Sequence, residues 1–234
     1  IVTGGTGRFG NHLKSISTKH KLFFPTKNQF NILNFNSMLK YFNKTKPDIV
    51  IHLAGFSRPM ELHEKDINKS INLNIIGTAN VTIACSQKNI KLIYFSTNYV
   101  YPGINGNYNE DDPLKPFNNY AWSKLGGECS VKLYKNSLIL RVCMTEKPFI
   151  HKKAFANVKT SFMYHDEVAK ILFKLLNKQG IINIGGKAQY IYNFAKKENK
   201  KVKKIYQNKK MKIKIPFNST INTKKLQKIV KIKF

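Results

Sequence analysis

The sequence is poor in cysteine and has no long apolar run. Its three cysteines (Cys85, Cys129 and Cys143) are widely spaced and form no CxxC motif, so we interpret them as reduced thiols. No apolar stretch approaches the roughly 18 residues that a membrane helix needs. The first ten residues lack the basic region and the long apolar stretch of a signal peptide. We therefore expect a cytoplasmic protein that does not associate with membranes.

Acidic residues are also scarce: 12 Asp and Glu face 41 Lys and Arg, which gives a net charge of +29. Such a charge is compatible with nucleic-acid binding, but no helix-turn-helix, zinc-finger or RNP motif accompanies it. Lysine is spread along the whole chain and is densest in the last third, a composition typical of an AT-rich genome. We predict no specific nucleic-acid partner, although a positive field would attract an anionic substrate such as a nucleotide sugar.

The histidines are scattered and show no spacing that suits a metal site, so we predict no metal. Those to which we assign no function are His12, His20, His52, His63 and His151.

Apolar segments that read as buried strands alternate with segments of helical periodicity. The predicted strands are Ile1–Val2, Lys21–Pro25, Asp48–Gly55, Ile90–Thr97, Ser137–Val142 and Gly180–Gly186. The predicted helices are Phe9–Lys19, Asn36–Thr45, Glu64–Gln87, Tyr120–Lys135, Phe162–Asn177 and Tyr190–Lys200. This alternation predicts an α/β protein with a Rossmann-type, doubly wound parallel sheet. We place a dinucleotide-binding domain at 1–142 and a small, shortened C-terminal substrate lobe at 143–234.

A glycine-rich loop, "VTGGTGRFG", follows the first strand and opens a helix. Gly4, Gly7 and Gly10 recur at intervals of three, the pattern that allows a tight turn, a close backbone approach to a pyrophosphate and helix–strand packing. The context therefore predicts a dinucleotide site. No Asp or Glu follows "KLFFP" to bind the adenosine ribose as in NAD enzymes, while Arg8 and Lys27 could meet a 2′-phosphate. The residues favour NADP(H) and leave NAD(H) open.

The segment "PFNNYAWSKLGGE" places Tyr120 and Lys124 four residues apart, on one face of a helix. A neighbouring ammonium stabilises a phenolate, which brings a tyrosine into the range needed for proton transfer at neutral pH. "FSTNYVY" supplies two hydroxyls, Ser96 and Thr97, at the carboxyl end of a buried strand, where open α/β sheets bind ligands. Gly126 and Gly127 are both expected to permit close packing of this helix.

Taken together, "TGGTGRFG", "DIVIHLAG", "NLNIIGTANV", "FSTNYVYPG", "YNEDDPLKP" and "YAWSKLGGE" resemble the extended branch of the short-chain dehydrogenase/reductase superfamily, over about residues 1–141. Within it the chain is most similar to sugar-nucleotide reductases of the dTDP-4-dehydrorhamnose reductase type. The resemblance implies Tyr120 as the catalytic acid/base, Lys124 as its partner and ligand of the nicotinamide ribose, and Thr97 as the group that polarises the carbonyl. The expected cofactor-binding residues are Gly4, Gly7, Arg8, Phe9, Gly10, Asn31, Ile32, Ala54, Gly55, Asn74, Ser96, Tyr120 and Lys124.

The chain departs from these reductases after Arg141, where "VCMTEKPF" replaces a run with a tryptophan and the following stretch is short. The first hypothesis is an NAD(P)-dependent reductase of a nucleotide-linked 4-keto sugar, with a homodimer as a possible assembly. An epimerase or dehydratase with tightly held NAD is the second; Asn98 and Tyr99 argue against a dehydratase because they replace its acidic pair. The shortened lobe motivates the third, a non-catalytic NADP-binding regulatory subunit. The residues do not identify the sugar or the nucleotide.

Overall fold

The computed structural model describes residues 1–208 and 215–231, so the middle of the basic tail, 209–214, lies outside the described residues. The strands are β1 (Val2–Thr3), β2 (Ile49–His52), β3 (Lys91–Thr97), β4 (Ser137–Val142), β5 (Met144–Thr145), β6 (Lys153–Phe155), β7 (Lys159–Thr160), β8 (Met163–Tyr164), β9 (Gly180–Ile184), β10 (Gln189–Tyr190) and β11 (Lys203–Ile205). The α-helices are α1 (Arg8–Lys14), α2 (Phe35–Thr45), α3 (Glu61–Lys65), α4 (Ile67–Ser70), α5 (Gly77–Gln87), α6 (Asn119–Lys132), α7 (His165–Lys174), α8 (Ile191–Glu198) and α9 (Lys224–Val230).

The central sheet has five strands in the order β1-β2-β3-β4-β9. Strands β1 and β3 both pair parallel with β2, as strands joined by helical crossovers do. The side chains of β4 are buried throughout, and in β3 only Lys91 is partly exposed, the pattern of strands covered on both faces. The predicted α/β class with a Rossmann-like parallel sheet is confirmed.

Local sequence explains where α2 begins and ends. The Asn34 side chain accepts a hydrogen bond from the Ser37 amide at 3.0 Å and caps the first turn. Met38 and Phe42, four residues apart, form its buried face. The helix stops at Lys46, which adopts a left-handed conformation (φ 42°) immediately before Pro47.

Several sequence-based elements differ from the structure. The first helix ends at Lys14 rather than near Lys19, and the predicted helix Phe162–Asn177 begins later because Met163–Tyr164 forms β8 and α7 spans His165–Lys174. The predicted strand Lys21–Pro25 is wrong: the segment has no regular strand geometry, although Phe23 accepts one backbone hydrogen bond from the Val2 amide at 2.8 Å. The predicted long helix Glu64–Gln87 is interrupted at Asp66, whose carboxylate caps α4 by accepting from the Lys69 amide at 2.8 Å. A π-helical turn, Ile71–Ile76, then separates α4 from α5.

The chain packs into two compact units. Unit 1 comprises Ile1–Ser96, Ser123–Leu140 and Leu176–Gly180, and unit 2 comprises Thr97–Trp122, Arg141–Leu175 and Ile181–Phe234. One apolar cluster of unit 2 gathers the buried side chains of Phe149, Ala154, Val158, Ile191, Phe194, Ala195 and Val202. None of the helices in the described ranges has both the length and the apolar character needed to cross a membrane.

A C-terminal segment, 217–222, connects distant parts of unit 2 through hydrogen bonds. The Tyr108 amide donates to the Thr220 carbonyl, and the Lys159 amide donates to the Phe217 carbonyl at 2.8 Å. The Asn98 side chain donates to the Ser219 carbonyl at 2.9 Å, across 121 positions of sequence. This segment thereby fixes the loop that follows β3 within unit 2.

Candidate active site

The glycine loop of unit 1 has a conformation that only glycine accommodates. Gly4 has φ +70°, and a Cβ there would lie 2.7 Å from the Ala54 amide nitrogen. A Cβ at Gly10 would lie 2.4 Å from the Gly4 carbonyl oxygen. Gly7 is the N-cap of α1, and its amide donates to the Gly4 carbonyl at 2.9 Å. The loop is a backbone-lined cradle against which the chain at Ala54 packs closely.

The turn after β2 is held by a buried polar network that the sequence did not indicate. The Thr3 hydroxyl oxygen accepts from the Leu53 and Ala54 amides at 3.2 and 3.1 Å, so its proton is donated to His52 Nδ1 at 2.8 Å. The Nε2–H of His52 then donates to the Thr78 hydroxyl at 3.2 Å. Burial, and secondarily the Lys124 cation, lower the pKa of His52 to about 3, so the ring is neutral. His52 was assigned no function from the sequence, yet it supports the backbone at Ala54.

Asn74 lies in the π-helical turn, a feature often found at functional sites. Its side chain is 1% exposed. Its Oδ1 accepts from the Phe56 amide at 2.7 Å, and its Nδ2 donates to the Phe56 carbonyl at 2.7 Å and to the Ser123 hydroxyl at 2.8 Å. Gly55 is pressed against the same amide, since a Cβ there would lie 2.8 Å from Oδ1. Asn74 thus ties the loop after β2 to α6, with both of its amide hydrogens used.

The other residues predicted to bind the cofactor differ in exposure. Arg8 is exposed at the first residue of α1, whereas Phe9 is buried with its ring 5.2 Å from that of Phe95. The Asn31 side chain accepts from the Leu33 amide at 3.0 Å. Ile32 is buried against Gly77, where a Cβ would lie 2.6 Å from its Cδ1. The side chains of Phe9 and Ile32 therefore belong to the core of unit 1.

Helix α6 carries Tyr120 and Lys124 four residues apart, on the same side of the helix. Lys124 is 9% exposed, and its Nζ lies 4.2 Å from the centre of the Tyr94 ring. The Tyr94 hydroxyl donates to the Lys124 carbonyl at 3.0 Å. Burial lowers the pKa of Lys124 to about 7, a shift that the Glu128 carboxylate opposes. This lysine can therefore change its charge near neutral pH.

Close packing of α6 in unit 1 depends on its two glycines. A Cβ at Gly127 would lie 2.4 Å from the Asn74 carbonyl oxygen, and one at Gly126 would lie 2.8 Å from the Ile75 side chain. The prediction that these glycines permit close helix packing is confirmed.

Ser96 and Glu128 form a buried pair in unit 1. The Ser96 hydroxyl donates to Glu128 Oε2 at 2.6 Å, and the two residues are 6% and 2% exposed. Ser96 is among the residues expected to bind the cofactor, and its hydroxyl proton is donated to this carboxylate; a role beside the cofactor stays a prediction. The pair was not anticipated from the sequence, since its members lie 32 positions apart.

In unit 2 Thr97 directly precedes a 3₁₀ turn, Asn98–Val100, and Tyr120 is the second residue of α6. Thr97 is 6% exposed, and its hydroxyl oxygen accepts from the Tyr99 amide at 3.3 Å. The Tyr99 ring lies edge-on to the half-buried Tyr120 ring, with 6.4 Å between ring centres. The Asn118 side chain caps the first turn by accepting from the Ala121 amide at 2.9 Å. Tyr120 is thus held in a capped helix start beside a second tyrosine.

Arg141 belongs to a separate buried network in unit 2. Its Nη1 donates to the Tyr101 hydroxyl at 2.8 Å and to the Glu110 carbonyl at 2.7 Å. The Tyr101 hydroxyl donates to Asn183 Oδ1 at 2.9 Å, and the Asn183 amide donates to Glu110 Oε1 at 2.9 Å. Burial raises the pKa of Tyr101 to about 12. Among the described residues no group of three or more His, Cys, Asp or Glu is placed to hold a metal ion.

The family described as the RmlD substrate binding domain matches residues 1–145, more than half of the chain. The chain belongs to this family. The spore coat polysaccharide biosynthesis protein SpsK of Bacillus subtilis is 32% identical to this chain over 145 residues. The match covers 60% of this chain and 51% of SpsK. Methionine adenosyltransferase 2 subunit beta of Pongo abelii is 29% identical over 140 residues, covering 56% of this chain and 42% of that protein. The chain thus spans about half the length of the curated relatives it matches.

Solved structures share the fold of this RmlD-family chain over nearly its whole length. A dTDP-4-dehydrorhamnose reductase from Bacillus anthracis, solved in complex with NADP, has a TM-score of 0.86 at 22% identity, covering 97% of this chain and 89% of that one. A hypothetical dTDP-4-dehydrorhamnose reductase from Sulfolobus tokodaii has a TM-score of 0.85 at 24% identity. At this identity the likeness establishes the fold.

Proposed function

We propose that the protein is an NAD(P)-dependent reductase of a nucleotide-linked 4-keto sugar, in which Tyr120 donates the proton. The observation that carries the proposal is helix α6, which places Tyr120 one turn before a buried lysine whose pKa is lowered to about 7 by burial. Burying a cation costs free energy even when it is partly compensated, and perturbed ionisable groups concentrate at functional sites.

The residues present in unit 1 fit a dinucleotide. Gly4 and Gly10 leave no room for a Cβ beside the backbone of Ala54 and of Gly4, so the loop is a tight backbone turn that would present its amides to a pyrophosphate. Ala54 and Gly55 would line the same cofactor. Arg8 is exposed beside this cradle, and Lys27 is exposed as well, which favours the 2′-phosphate of NADP over NAD. A nicotinamide dinucleotide supplies the hydride when bound.

The chain's own side chains would supply the proton and polarise the carbonyl group. The hydroxyl of Tyr120 donates its proton to the carbonyl oxygen while the carbonyl carbon receives the hydride, so the ketone becomes an alcohol and the tyrosine a phenolate. The Lys124 cation, one turn along the helix, stabilises that phenolate. Because the Thr97 oxygen already accepts from the Tyr99 amide, its hydroxyl hydrogen is the group that would be donated to the carbonyl oxygen.

The test compares Tyr120→Phe with Tyr206→Phe, a control at a tyrosine that is 62% exposed. Oxidation of NADPH is followed with a panel of dTDP- and UDP-linked 4-keto sugars, and NADPH affinity is measured by fluorescence. Tyr120→Phe is expected to lower turnover by at least about 100-fold, the contribution typical of general acid catalysis, while cofactor affinity is nearly unchanged. Equal loss of turnover and affinity, or turnover that survives in Tyr120→Phe, would contradict the proposal.

A non-catalytic regulatory subunit is the second candidate, because relatives named methionine adenosyltransferase 2 subunit beta match 56% and 61% of the chain. It predicts NADPH binding with no oxidation by any keto sugar, together with tight binding to a partner protein. A dehydratase is disfavoured because Asn98, which replaces an acid, is 3% exposed and donates to the Ser219 carbonyl.

Three further properties extend this proposal. The dinucleotide-binding domain would occupy 1–142 and the substrate lobe 143–234, and the protein would act in the cytoplasm. A homodimer would cover the exposed isoleucines of unit 1, among them Ile67, Ile71 and Ile83, at 55%, 40% and 49% exposure. Sedimentation of the purified protein tests the dimer, and a monomer at micromolar concentration would contradict it.

A further inference from the structure

The charged side chains buried in the described part of unit 1 are Lys124 and Glu128. They lie one turn apart on α6, at 9% and 2% exposure. The sequence has only 12 acidic residues and a net charge of +29, yet one of these carboxylates is buried. Burying an ionised carboxylate is costly unless it is paired and hydrogen-bonded. A buried charge is retained where an opposite charge compensates it.

The orientation of the Glu128 carboxylate is fixed from a second element. Ser96, at the end of β3, donates its hydroxyl proton to Oε2 at 2.6 Å, a short and charge-assisted hydrogen bond. The same strand contributes Tyr94, whose ring face lies 4.2 Å from Lys124 Nζ and whose hydroxyl donates to the Lys124 carbonyl. Strand β3 therefore holds both charged side chains of the helix.

We infer that Glu128 is a positioning residue of the reaction: it is the buried counter-charge that keeps the Lys124 ammonium protonated and in place, with Ser96 orienting its carboxylate. The inference rests on the proposed function for its catalytic consequence. The electrostatic pairing itself requires only the geometry of unit 1.

The groups that face Lys124 within unit 1 support this assignment. His52, from β2, is uncharged because its pKa is lowered to about 3, and Tyr94 presents its ring face rather than an anion. On α6 itself, Tyr120 lies one turn before and Glu128 one turn after. Burial already lowers the pKa of Lys124 to about 7 and Glu128 opposes the shift, so removal of this carboxylate would deprotonate the lysine at lower pH.

The first experiment measures the pH dependence of kcat/KM in Glu128→Gln and in Glu61→Gln, an exposed control on α3 that changes the net charge equally. Protonated Lys124 is the active form, so activity falls as pH rises through its pKa. In Glu128→Gln this fall is expected at least about one pH unit lower, a tenfold loss above the new pKa, whereas the control follows the wild type. Superimposable profiles for Glu128→Gln and wild type would overturn the inference.

A second variant keeps the test decisive if Glu128→Gln fails to fold. Ser96→Ala retains the carboxylate charge but releases its orientation, so the alkaline fall should move in the same direction by a smaller amount. An unchanged profile in Ser96→Ala would show that Ser96 does not orient the carboxylate toward this role.

The pairing is tested without any turnover by a double-mutant cycle of Lys124→Met and Glu128→Gln, read from urea unfolding. Lys124→Met leaves the Glu128 carboxylate without its counter-charge, and Glu128→Gln leaves a lysine that must stay buried as an unpaired cation or lose its proton. The unfolding equilibrium constant of the double variant should therefore be at least about tenfold smaller than the two single effects together predict. Additive changes in the free energy of unfolding would contradict the inference. Coupling in a protein that reduces no keto sugar would instead preserve the pairing and reject the proposed function.

Discussion

Within the described residues, unit 1 and unit 2 each bury one cation and one glutamate, and they use them differently. In unit 2 the Arg141 guanidinium donates to the Tyr101 hydroxyl and to the Glu110 backbone, and it lies 5.0 Å from the Tyr101 ring centre. In unit 1 the Lys124 ammonium lies over the Tyr94 ring, and its pKa is about 7. Arginine cannot lose its proton in a protein, whereas buried lysine can. The comparison teaches that unit 2 buries Arg141 as a permanently charged structural group, whereas unit 1 buries Lys124 as a group that can titrate.

The largest change in the free energy of unfolding is expected from removing the Arg141 guanidinium. Arg141→Met leaves the Tyr101 hydroxyl and the Glu110 carbonyl without their shared donor and should destabilise the protein by about 2–6 kcal/mol, at about 1–3 kcal/mol for each unsatisfied group. Arg141→Lys keeps the charge but loses the fork geometry, so it should fall between Arg141→Met and wild type. Urea unfolding followed by circular dichroism measures both, with exposed Lys178→Met as the control. A loss below 1 kcal/mol in Arg141→Met would place this arginine among surface charges.

A smaller effect is expected from removing one oxygen of the same network. Tyr101→Phe deletes the hydroxyl that accepts from Arg141 and donates to Asn183, at a cost of about 1–3 kcal/mol. The same measurement on exposed Tyr206→Phe should give no change. Equal unfolding free energies for the two variants would mean that the Tyr101 hydroxyl is dispensable.

The smallest effect, counted per pH unit, separates the two cations. The pKa of Lys124 is lowered to about 7 in the folded protein, below its ordinary 10.5, so the unfolded chain binds more protons between these values. Lys124 therefore makes stability rise with pH across this window, by at most about 1.4 kcal/mol per unit. Lys124→Met should remove that slope, and Arg141→Met, which introduces no titratable group, should leave it. The measurement is the unfolding free energy between pH 7 and 9.5, and identical slopes in wild type and Lys124→Met would refute the distinction.

The sequence predicted what is encoded locally. The glycine loop, the helix that carries Tyr120 and Lys124, and the bounds of β4 follow from short-range spacing and apolar runs. The strand expected at Lys21–Pro25 did not form because strand geometry depends on pairing along a ladder, and this segment has one bond to β1. The interruption at Asp66 was missed because its side chain bonds the helix backbone that it was expected to continue.

In the candidate site, too, local features were predicted and long-range contacts were missed. Tyr120 and Lys124 could be identified from the sequence because they share a helix, and their roles stay predictions. Ser96 and Asn74 were expected beside the cofactor, but their partners, Glu128 and Phe56, lie 32 and 18 positions away, beyond what spacing conveys. His52 could have been singled out by its place at the end of β2, next to the turn at Ala54.

The segment 217–222 has a consequence for how the protein is made. Asn98 finds its carbonyl partner 121 positions later, so this hydrogen bond of the loop after Thr97 can form only after Ser219 has been synthesised. Synthesis that stops before Phe217 would leave that loop without this bond, even with every glycine, tyrosine and lysine of the earlier motifs in place. Unit 2 can therefore acquire its full set of hydrogen bonds only after segment 217–222 has been made.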